Sequence, residues 1–262
     1  MVYHGTGPTR LQNDQFTDEA LHYMARFSKI RLIALAWTQA TDEGFKHLAG
    51  ATSLRAIHVR KGAQLTDVGI ESLHELKDLE EVHVDNSNLT DASLRTLSTM
   101  PKVESLALQG NNFTDDGLAY LSEMKQLKSL SVGMSKSQIT DAGAAHLANL
   151  VNLEALDLQK ARISDEGVKH LIGLTKLKSI SLTGGGDSPF AITDQGLAIL
   201  ASLPNLERLF LINSRITEAG IAQLASMKKL RHLSIGSANL DGAAISRLRQ
   251  ALPRVKVLYC TP

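Results

Sequence analysis

The chain has 262 residues, of which 43% are hydrophobic and 4% aromatic, and its formal net charge at pH 7 is +1. A charge this close to balance gives no reason to expect a nucleic-acid partner, and no run of about 18 apolar residues is present to span a membrane. The single cysteine, Cys260, excludes a disulfide within the chain, and no secretory leader is visible. These features favour a cytoplasmic protein and leave a secreted or translocated bacterial form as the alternative.

Residues 1–15 stand apart from the remainder, and we expect them to cap the domain that follows or to be partly disordered. Over residues 16–262 a single frame recurs ten times, with a step of 24 residues wherever nothing is inserted. The copies begin at Phe16, Ala40, Leu65, Leu89, Phe113, Ile139, Ile163, Ile192, Ile216 and Leu240. A fixed period of this length predicts a solenoid, in which each copy buries its apolar face on the next.

Each copy opens with a signal for a short helix. In the sixth copy the signal is Thr140-Asp141, followed two residues later by Gly143. The threonine can cap the helix by accepting a hydrogen bond from a free backbone N–H, and the aspartate suits the positive end of the helix dipole. The recurring glycine indicates that the helix packs closely on its neighbour or on the strand below.

Each copy closes with a strand in the pattern L-x-x-L-x-L, which Leu153, Leu156 and Leu158 illustrate. With the I-T-D-x-G segment, this pattern resembles the leucine-rich repeat family, in particular its bacterial and ribonuclease-inhibitor-like arrays. The resemblance covers about residues 16–262 and implies an α/β, right-handed solenoid, or horseshoe. It implies a parallel β-sheet on the concave face and short helices on the convex face. It does not imply any one activity, since the same horseshoe serves many partners.

Three departures from the period fall at the turn from strand to helix. One extra residue follows the second strand near Lys61, two lie within 133–137, and five lie within 184–190. Insertions gathered on one edge of a repeat array often mark its binding side. The sequence therefore predicts that these turns contribute to recognition.

The first strand is apolar on both faces, since Leu32, on the face opposite the core, is followed by Trp37 at its end. One interpretation is that the N-terminal segment folds over this face as a cap, because the open end of a solenoid needs protection. The other is that Leu32 and Trp37 form one end of a surface that binds a partner.

The second and third strands place His58 and Arg60 beside His83 and Asp85 on the inner face. An ordinary polar patch is the preferred interpretation of this cluster. The alternative is an enzyme or a metal-dependent site at His58, His83 and Asp85, because two imidazoles and a carboxylate can bind a transition metal or act as acid and base.

The eighth strand carries Phe210 and Ile212 as adjacent apolar residues on an otherwise small and polar face. Arg208 and His232 flank them, and the longest inserted turn, 184–190, leaves the neighbouring strand. Aromatic and arginine residues grouped in this way are typical of a binding hot spot. An alternative is that the inserted turn folds over Phe210 and only completes the core.

We therefore predict a non-catalytic protein–protein interaction scaffold, monomeric, that binds a protein partner on its concave face and strand-to-helix turns. The residues expected to bind this partner are Phe210, Ile212, Arg208, His232, Trp37, Arg60 and Asp85. No cofactor, bound metal, nucleic acid or membrane is expected. Besides the enzyme or metal-dependent site, a role as the recognition module of a larger protein is the remaining alternative.

Overall fold

The computed structural model describes residues 16–60, 64–133, 138–183, 192–237 and 239–259. The N-terminal segment 1–15 and most of the three inserted turns lie outside these residues, so the expectations about them stay predictions. Within the described ranges, no helix is both long and apolar enough to cross a bilayer.

The strands form one parallel sheet whose order follows the chain, so that each strand pairs with the next. The sheet is open, because the first and last strands lie at its two edges. The strands are β1 (Leu32–Ala36), β2 (Ala56–Arg60), β3 (Glu81–Asp85), β4 (Ser105–Ala107), β5 (Ser129–Ser131), β6 (Ala155–Asp157), β7 (Ser179–Ser181), β8 (Arg208–Ser214), β9 (His232–Ser237) and β10 (Lys256–Tyr259). This order confirms the predicted repeat solenoid.

A helix precedes each of these strands. The helices are α1 (Asp18–Ala25), α2 (Asp42–His47), α3 (Asp67–Glu71), α4 (Asp91–Ser98), α5 (Asp115–Leu121), α6 (Asp141–His146), α7 (Asp165–His170), α8 (Asp194–Ala201), α9 (Glu218–Gln223) and α10 (Gly242–Ala251). Short 3-10 turns extend α2 over Leu48–Gly50 and α9 over Leu224–Ser226. Helices this short are unstable alone in water, so their stability comes from packing on the sheet and on each other.

The core lies between the sheet and the helices. Leu153, Leu156 and Leu158 of the sixth repeat are all buried there, as the strand pattern predicts. From the helix side, Ala144 and Leu147 of the same repeat are buried against the same core. Because side chains alternate along a strand, every second strand residue points away from the helices. The sheet therefore has one face that the described helices do not cover.

The predicted helix caps form in most repeats. In seven helices the side chain of the cap residue accepts a hydrogen bond from a backbone N–H of the first turn. The hydroxyl of Thr140, for example, accepts from the N–H of Ala142 at 3.3 Å. Thr17, Thr114 and Thr217 make no such bond. These three helices nevertheless begin at the predicted place, so a side-chain cap is not required for a helix to begin there.

The aspartate that follows the cap in α1 to α8 has a second role, which the sequence did not reveal. The carboxylate of Asp42 accepts from the backbone N–H of Thr66 at 2.8 Å and from its hydroxyl at 2.6 Å, although Thr66 belongs to the next repeat. The same two bonds recur at eight successive junctions, and we call this series the aspartate ladder. It joins Asp18 to Thr41, Asp42 to Thr66, Asp67 to Thr90, Asp91 to Thr114, Asp115 to Thr140, Asp141 to Ser164, Asp165 to Thr193 and Asp194 to Thr217.

The aspartate ladder explains the recurring glycine of the helix. A Cβ atom at Gly167 would lie 2.3 Å from Oδ1 of Asp141, closer than two such atoms can approach. The fourth repeat has Ser93 in this position, and its hydroxyl donates a hydrogen bond to Asp67 instead. The expectation of close packing at this column is confirmed, and the neighbour is the carboxylate of the preceding repeat.

The backbone adopts a left-handed conformation just after several strands and, at Asn213, inside β8. The φ angles are 57° at Trp37, 55° at Asn86, 75° at Gly110, 61° at Lys160 and 60° at Asn213. Glycine and asparagine adopt this conformation readily, whereas it is unusual for a bulky side chain. The backbone at Trp37 is therefore held in a conformation that its own side chain disfavours.

Candidate functional site

The sheet face that points away from the helices, which we call the helix-free face, carries one residue from each strand at the same height. Strand register aligns Ala34, His58, His83, Ala107, Ser131, Asp157, Ser181, Phe210, Ser234 and Leu258 along it. The predicted order of this column is thereby confirmed for the first nine strands. Leu258 of β10 extends the column by one more residue.

A depression of about 330 Å³ lies near the middle of this face, between β5 and β8. Asp157 and Gln159 contribute polar groups to its lining, Ser131 and Ser181 contribute hydroxyls, and Phe210 lines it from β8. The depression brings Phe210, the predicted apolar residue, close to the carboxylate of Asp157. It can therefore receive a side chain that has both an apolar and a polar part.

The carboxylate of Asp157 is held by neighbouring amides. Its Oδ1 accepts from the backbone N–H of Gln159 at 3.0 Å, and its Oδ2 accepts from the side-chain amide of Gln109 at 2.7 Å. Burial raises the pKa of Asp157 above its ordinary value, against the opposing effect of the Gln159 N–H and of the hydroxyls beside it. A cationic group placed next to Asp157 would reverse that shift and bind favourably.

Two hydroxyls next to Asp157 have unused hydrogen-bonding capacity. The oxygens of Ser131 and Ser181 are buried, and neither makes a hydrogen bond of normal geometry within the described protein. Both hydroxyls lower the pKa of Asp157, and each oxygen keeps lone pairs that can accept a hydrogen bond from a bound group.

The predicted hot-spot residues do lie together at β8 and β9. Phe210 and Ile212 are half-buried, so less of each side chain is accessible than the sequence suggested, whereas Arg208 and His232 are exposed. Arg208 and His232 are direct neighbours in the sheet register.

The register of β8 shifts where the apolar pair ends. Between Leu211 and Ser214 of β8 two residues, Ile212 and Asn213, face only Gly236 of β9, because Ser214 pairs with Ser237. A bulge of this kind bends the strand and re-aims a side chain. The expected alignment of Ile212 directly beside Gly236 is therefore replaced by a bulge.

The histidine cluster also forms, on β2 and β3. The rings of His58 and His83 are stacked, with centroids 4.2 Å apart and planes 9° from parallel. Nε2 of His58 lies 2.9 Å from Oε2 of Glu81, and Nε2 of His83 lies 2.9 Å from the Ser105 hydroxyl. Burial lowers the pKa of His83 to about 4, with a further contribution from the nearby His58, so this imidazole is neutral at pH 7.

The carboxylate of this cluster is Glu81 rather than Asp85. Asp85 accepts from the backbone N–H of Gln109 at 3.1 Å, and burial raises the pKa of its carboxyl. The three groups that could hold a metal ion together are His58, Glu81 and His83. The alternative set His58, His83 and Asp85 is corrected accordingly.

The remaining predicted residues lie near the first edge of the sheet. Trp37 is 59% exposed, and its backbone N–H donates to the carbonyl of Arg60 at 2.9 Å. Arg60 is exposed and pairs with Asp85 in the register of β2 and β3. Six strand spacings of about 4.8 Å separate β2 from β8, so this group lies about 29 Å along the sheet from Phe210.

Sequence reasoning did not identify Asp157, Gln109 and Gln159 as functional candidates. In the sequence they are three of the small and polar residues predicted for the face opposite the core, and Asp157 is one of many charged residues. The available signal was its position in the middle of the helix-free column, between Ser131 and Ser181. A carboxylate flanked there by two serines cannot be fully solvated.

Comparison with known proteins agrees with this architecture. A family model described as Leucine Rich repeat matches residues 99–122 and 149–171. No curated protein sequence matches the chain.

Solved structures share the fold at low sequence identity. An internalin, InlF, from Listeria monocytogenes is 17% identical with a TM-score of 0.52, over 94% of this chain and 89% of that one. The protein LIC12759 from Leptospira interrogans is 16% identical with a TM-score of 0.58, over 90% and 68% of the two chains. The Arabidopsis receptor kinase HAESA, solved with the peptide hormone IDA and the co-receptor SERK1, is 17% identical with a TM-score of 0.58, over 81% and 39%.

The sequential parallel sheet, the repeated motifs and these matches define an α/β repeat solenoid. The chain has the leucine-rich-repeat fold, and the family model matches it within residues 99–122 and 149–171. Its assignment to the bacterial or ribonuclease-inhibitor-like type of repeat stays a prediction.

Proposed function

We propose that this chain is a non-catalytic recognition protein that binds a protein partner on the helix-free face of its sheet. The observation that carries the proposal is the depression beside Phe210, in which the half-buried carboxylate of Asp157 lies next to the hydroxyls of Ser131 and Ser181. Such a site combines an apolar wall with a few convergent polar groups, as pockets for an anchoring side chain do.

The chemistry of the depression selects the anchoring group. The carboxylate favours a lysine, an arginine or an amino terminus, while Phe210 offers apolar contact to the stem of such a side chain. Ile212 and the exposed Arg208 and His232 extend the contact along β8 and β9. We therefore expect an extended segment of the partner to cross the strands and to place one cationic group at Asp157.

The size of the face supports a long contact. The group of Trp37, Arg60 and Asp85 lies about 29 Å from Phe210, a distance that an extended chain of about nine residues covers. HAESA, which has the same fold, was solved with a peptide hormone. We propose recognition of this kind for the present chain, either on its own or as the recognition module of a larger protein, and as a monomer.

The test is affinity capture followed by quantitative binding. The wild-type chain is used to isolate a partner, and its affinity is then compared with that of Phe210→Ala and Asp157→Asn. We expect each variant to bind at least tenfold more weakly, with little change in melting temperature. The matched control is Ile172→Ala, which removes an exposed apolar side chain on the helix side.

The control should bind like the wild type. If Phe210→Ala and Asp157→Asn keep full affinity, the depression is not the anchor, and the interface lies elsewhere, for example around Trp37. Sedimentation equilibrium of the free chain tests the monomer, and a concentration-dependent rise in mass would contradict it.

A further inference from the structure

A second constellation on the helix-free face does not take part in the proposed recognition at Asp157. One ring nitrogen each of His58 and His83 and one carboxylate oxygen of Glu81 all lie within 4.8 Å of one another. Glu81 and His83 are two residues apart on β3 and share a face, and His58 pairs with His83 from β2. The sheet register therefore fixes the three donors beside each other.

The donors are of the types that bind zinc. Imidazole nitrogen and carboxylate oxygen bind Zn²⁺ at about 2.0 to 2.2 Å, which places the donors of a tetrahedral site about 3.3 to 3.6 Å apart. The present donors lie within 4.8 Å of one another, and Nε2 of His58 is 2.9 Å from Oε2 of Glu81, so the side chains must adjust to reach this spacing. Because a metal lies in the plane of each imidazole that binds it, the two stacked rings must also turn apart. Both rings are half-buried at an open face, so rotation about their side-chain bonds does not disturb the core.

The charge of the cluster favours a cation. Glu81 and Asp85 carry two negative charges against the one positive charge of Arg60. The Ser105 hydroxyl, 2.9 Å from Nε2 of His83, can orient that ring from outside the coordination sphere.

We propose that His58, Glu81 and His83 bind one divalent transition-metal ion of the zinc class on the helix-free face. The three side chains leave a fourth position of the tetrahedron open. Glu81 and His58 keep 47% and 29% of their side-chain surface exposed, so the ion has access from solvent, and water or a donor from a binding partner can complete the site.

The test is calorimetric titration of the metal-free chain with ZnCl₂, with Co²⁺ absorption in the visible range as a report on tetrahedral geometry. We expect one ion per chain at this site. His83→Ala and Glu81→Gln should each weaken binding at least tenfold and reduce the Co²⁺ absorption. Glu81→Gln keeps the shape of the side chain, so it preserves the test if His83→Ala does not fold.

A pair of histidines elsewhere provides the control. His22 and His47 lie on the helix side with their Nδ1 atoms 3.4 Å apart, and they could bind zinc by themselves. The double variant His22→Ala/His47→Ala should keep the ion and the Co²⁺ signal. The proposal is overturned if the wild type binds no zinc, if this double variant loses the ion, or if Glu81→Gln and a folded His83→Ala bind as the wild type does.

Discussion

The carboxylate of Asp115 accepts two hydrogen bonds from Thr140, one from the backbone N–H at 2.7 Å and one from the hydroxyl at 2.6 Å. Asp115 begins α5 and Thr140 caps α6, so these bonds are tertiary contacts between consecutive repeats. Hydrogen bonds to a charged group are worth more than those between neutral groups. The aspartate ladder therefore contributes to stability at each junction, in addition to the apolar core.

Replacing Asp115 by alanine should lower the free energy of unfolding by about 1.5 to 3 kcal/mol, because Thr140 loses a charged acceptor. The matched control is Asp116→Ala, one residue further along the same helix, where the side chain is exposed. It should cost less than about 0.5 kcal/mol. Urea denaturation of both variants measures the difference, and equal losses would show that the ladder does not stabilise the junction.

The recurring glycine gives a second prediction. At Gly143 an added Cβ would lie 2.3 Å from Oδ1 of Asp115, whereas at Gly173 the nearest atom would be the carbonyl oxygen of Ala148 at 3.9 Å. Gly143→Ala should therefore destabilise the chain by about 1 to 3 kcal/mol, and Gly173→Ala should be neutral or stabilise it by up to about 1 kcal/mol.

The cause of the first effect can be separated by a double variant. If the added methyl group clashes with the carboxylate, Gly143→Ala should cost much less in an Asp115→Ala background. Strictly additive losses in thermal or urea unfolding would indicate that the strain has another origin, such as Ile139, whose Cγ2 would lie 3.1 Å from the added atom.

Acid conditions should weaken the contact at Ser93. Burial alone would raise the pKa of Asp67, but hydrogen bonds from Ser93 and Thr90 outweigh it and hold the pKa below its ordinary value of 3.8. The stability that this carboxylate contributes is therefore complete above about pH 4 and is lost as the pH falls through the folded pKa. Ser93→Ala should be less stable than the wild type at pH 7, and this deficit should shrink below about pH 4.

Ser98→Ala is the control for that experiment. The Ser98 hydroxyl donates to the carbonyl of Arg95 at 2.7 Å in the same helix and does not contact the ladder. Its small effect should stay constant across the pH range. A Ser93→Ala deficit that is the same at pH 3 and pH 7 would contradict the assignment to Asp67.

His83 predicts a second pH dependence, over a different range. The pKa is lowered to about 4 in the folded chain from an ordinary value of 6.5, so the unfolded chain takes up the proton first as the pH falls. Stability should decrease between about pH 6.5 and pH 4. In metal-free buffer, the melting temperature of His83→Gln should fall less than that of the wild type over this interval. His74→Gln is the control for the loss of one imidazole.

The sequence predicts the strand register because the apolar pattern is compatible with only one alignment of neighbouring strands. A shift of one residue in β6 would move Leu156 from the core to the helix-free face and bring Asp157 into the core. The same argument aligned His58 with His83 and placed Phe210 beside Ser181. Positions along the strands were therefore predictable from one repeat to the next.

Side-chain reach was less predictable than position. Glu81 and Asp85 flank His83 at equal distance along β3, and only the longer side chain of Glu81 reaches His58, while the N–H of Gln109 engages Asp85. The ladder was missed for a related reason. Asp42 looks like a local helix-dipole residue in the sequence, and its partner Thr66 is 24 residues away.

The three longer turns leave the aspartate ladder unchanged. Asp91 and Thr114, across an uninterrupted repeat, are 23 residues apart, whereas Asp165 and Thr193 are 28 apart across the largest insertion. The backbone N–H of the second residue donates at 2.9 Å in both cases. Turn length is thus independent of stacking geometry, so a lineage, or an engineer, can lengthen or exchange a turn to meet a new ligand while the rest of the scaffold stays as it is.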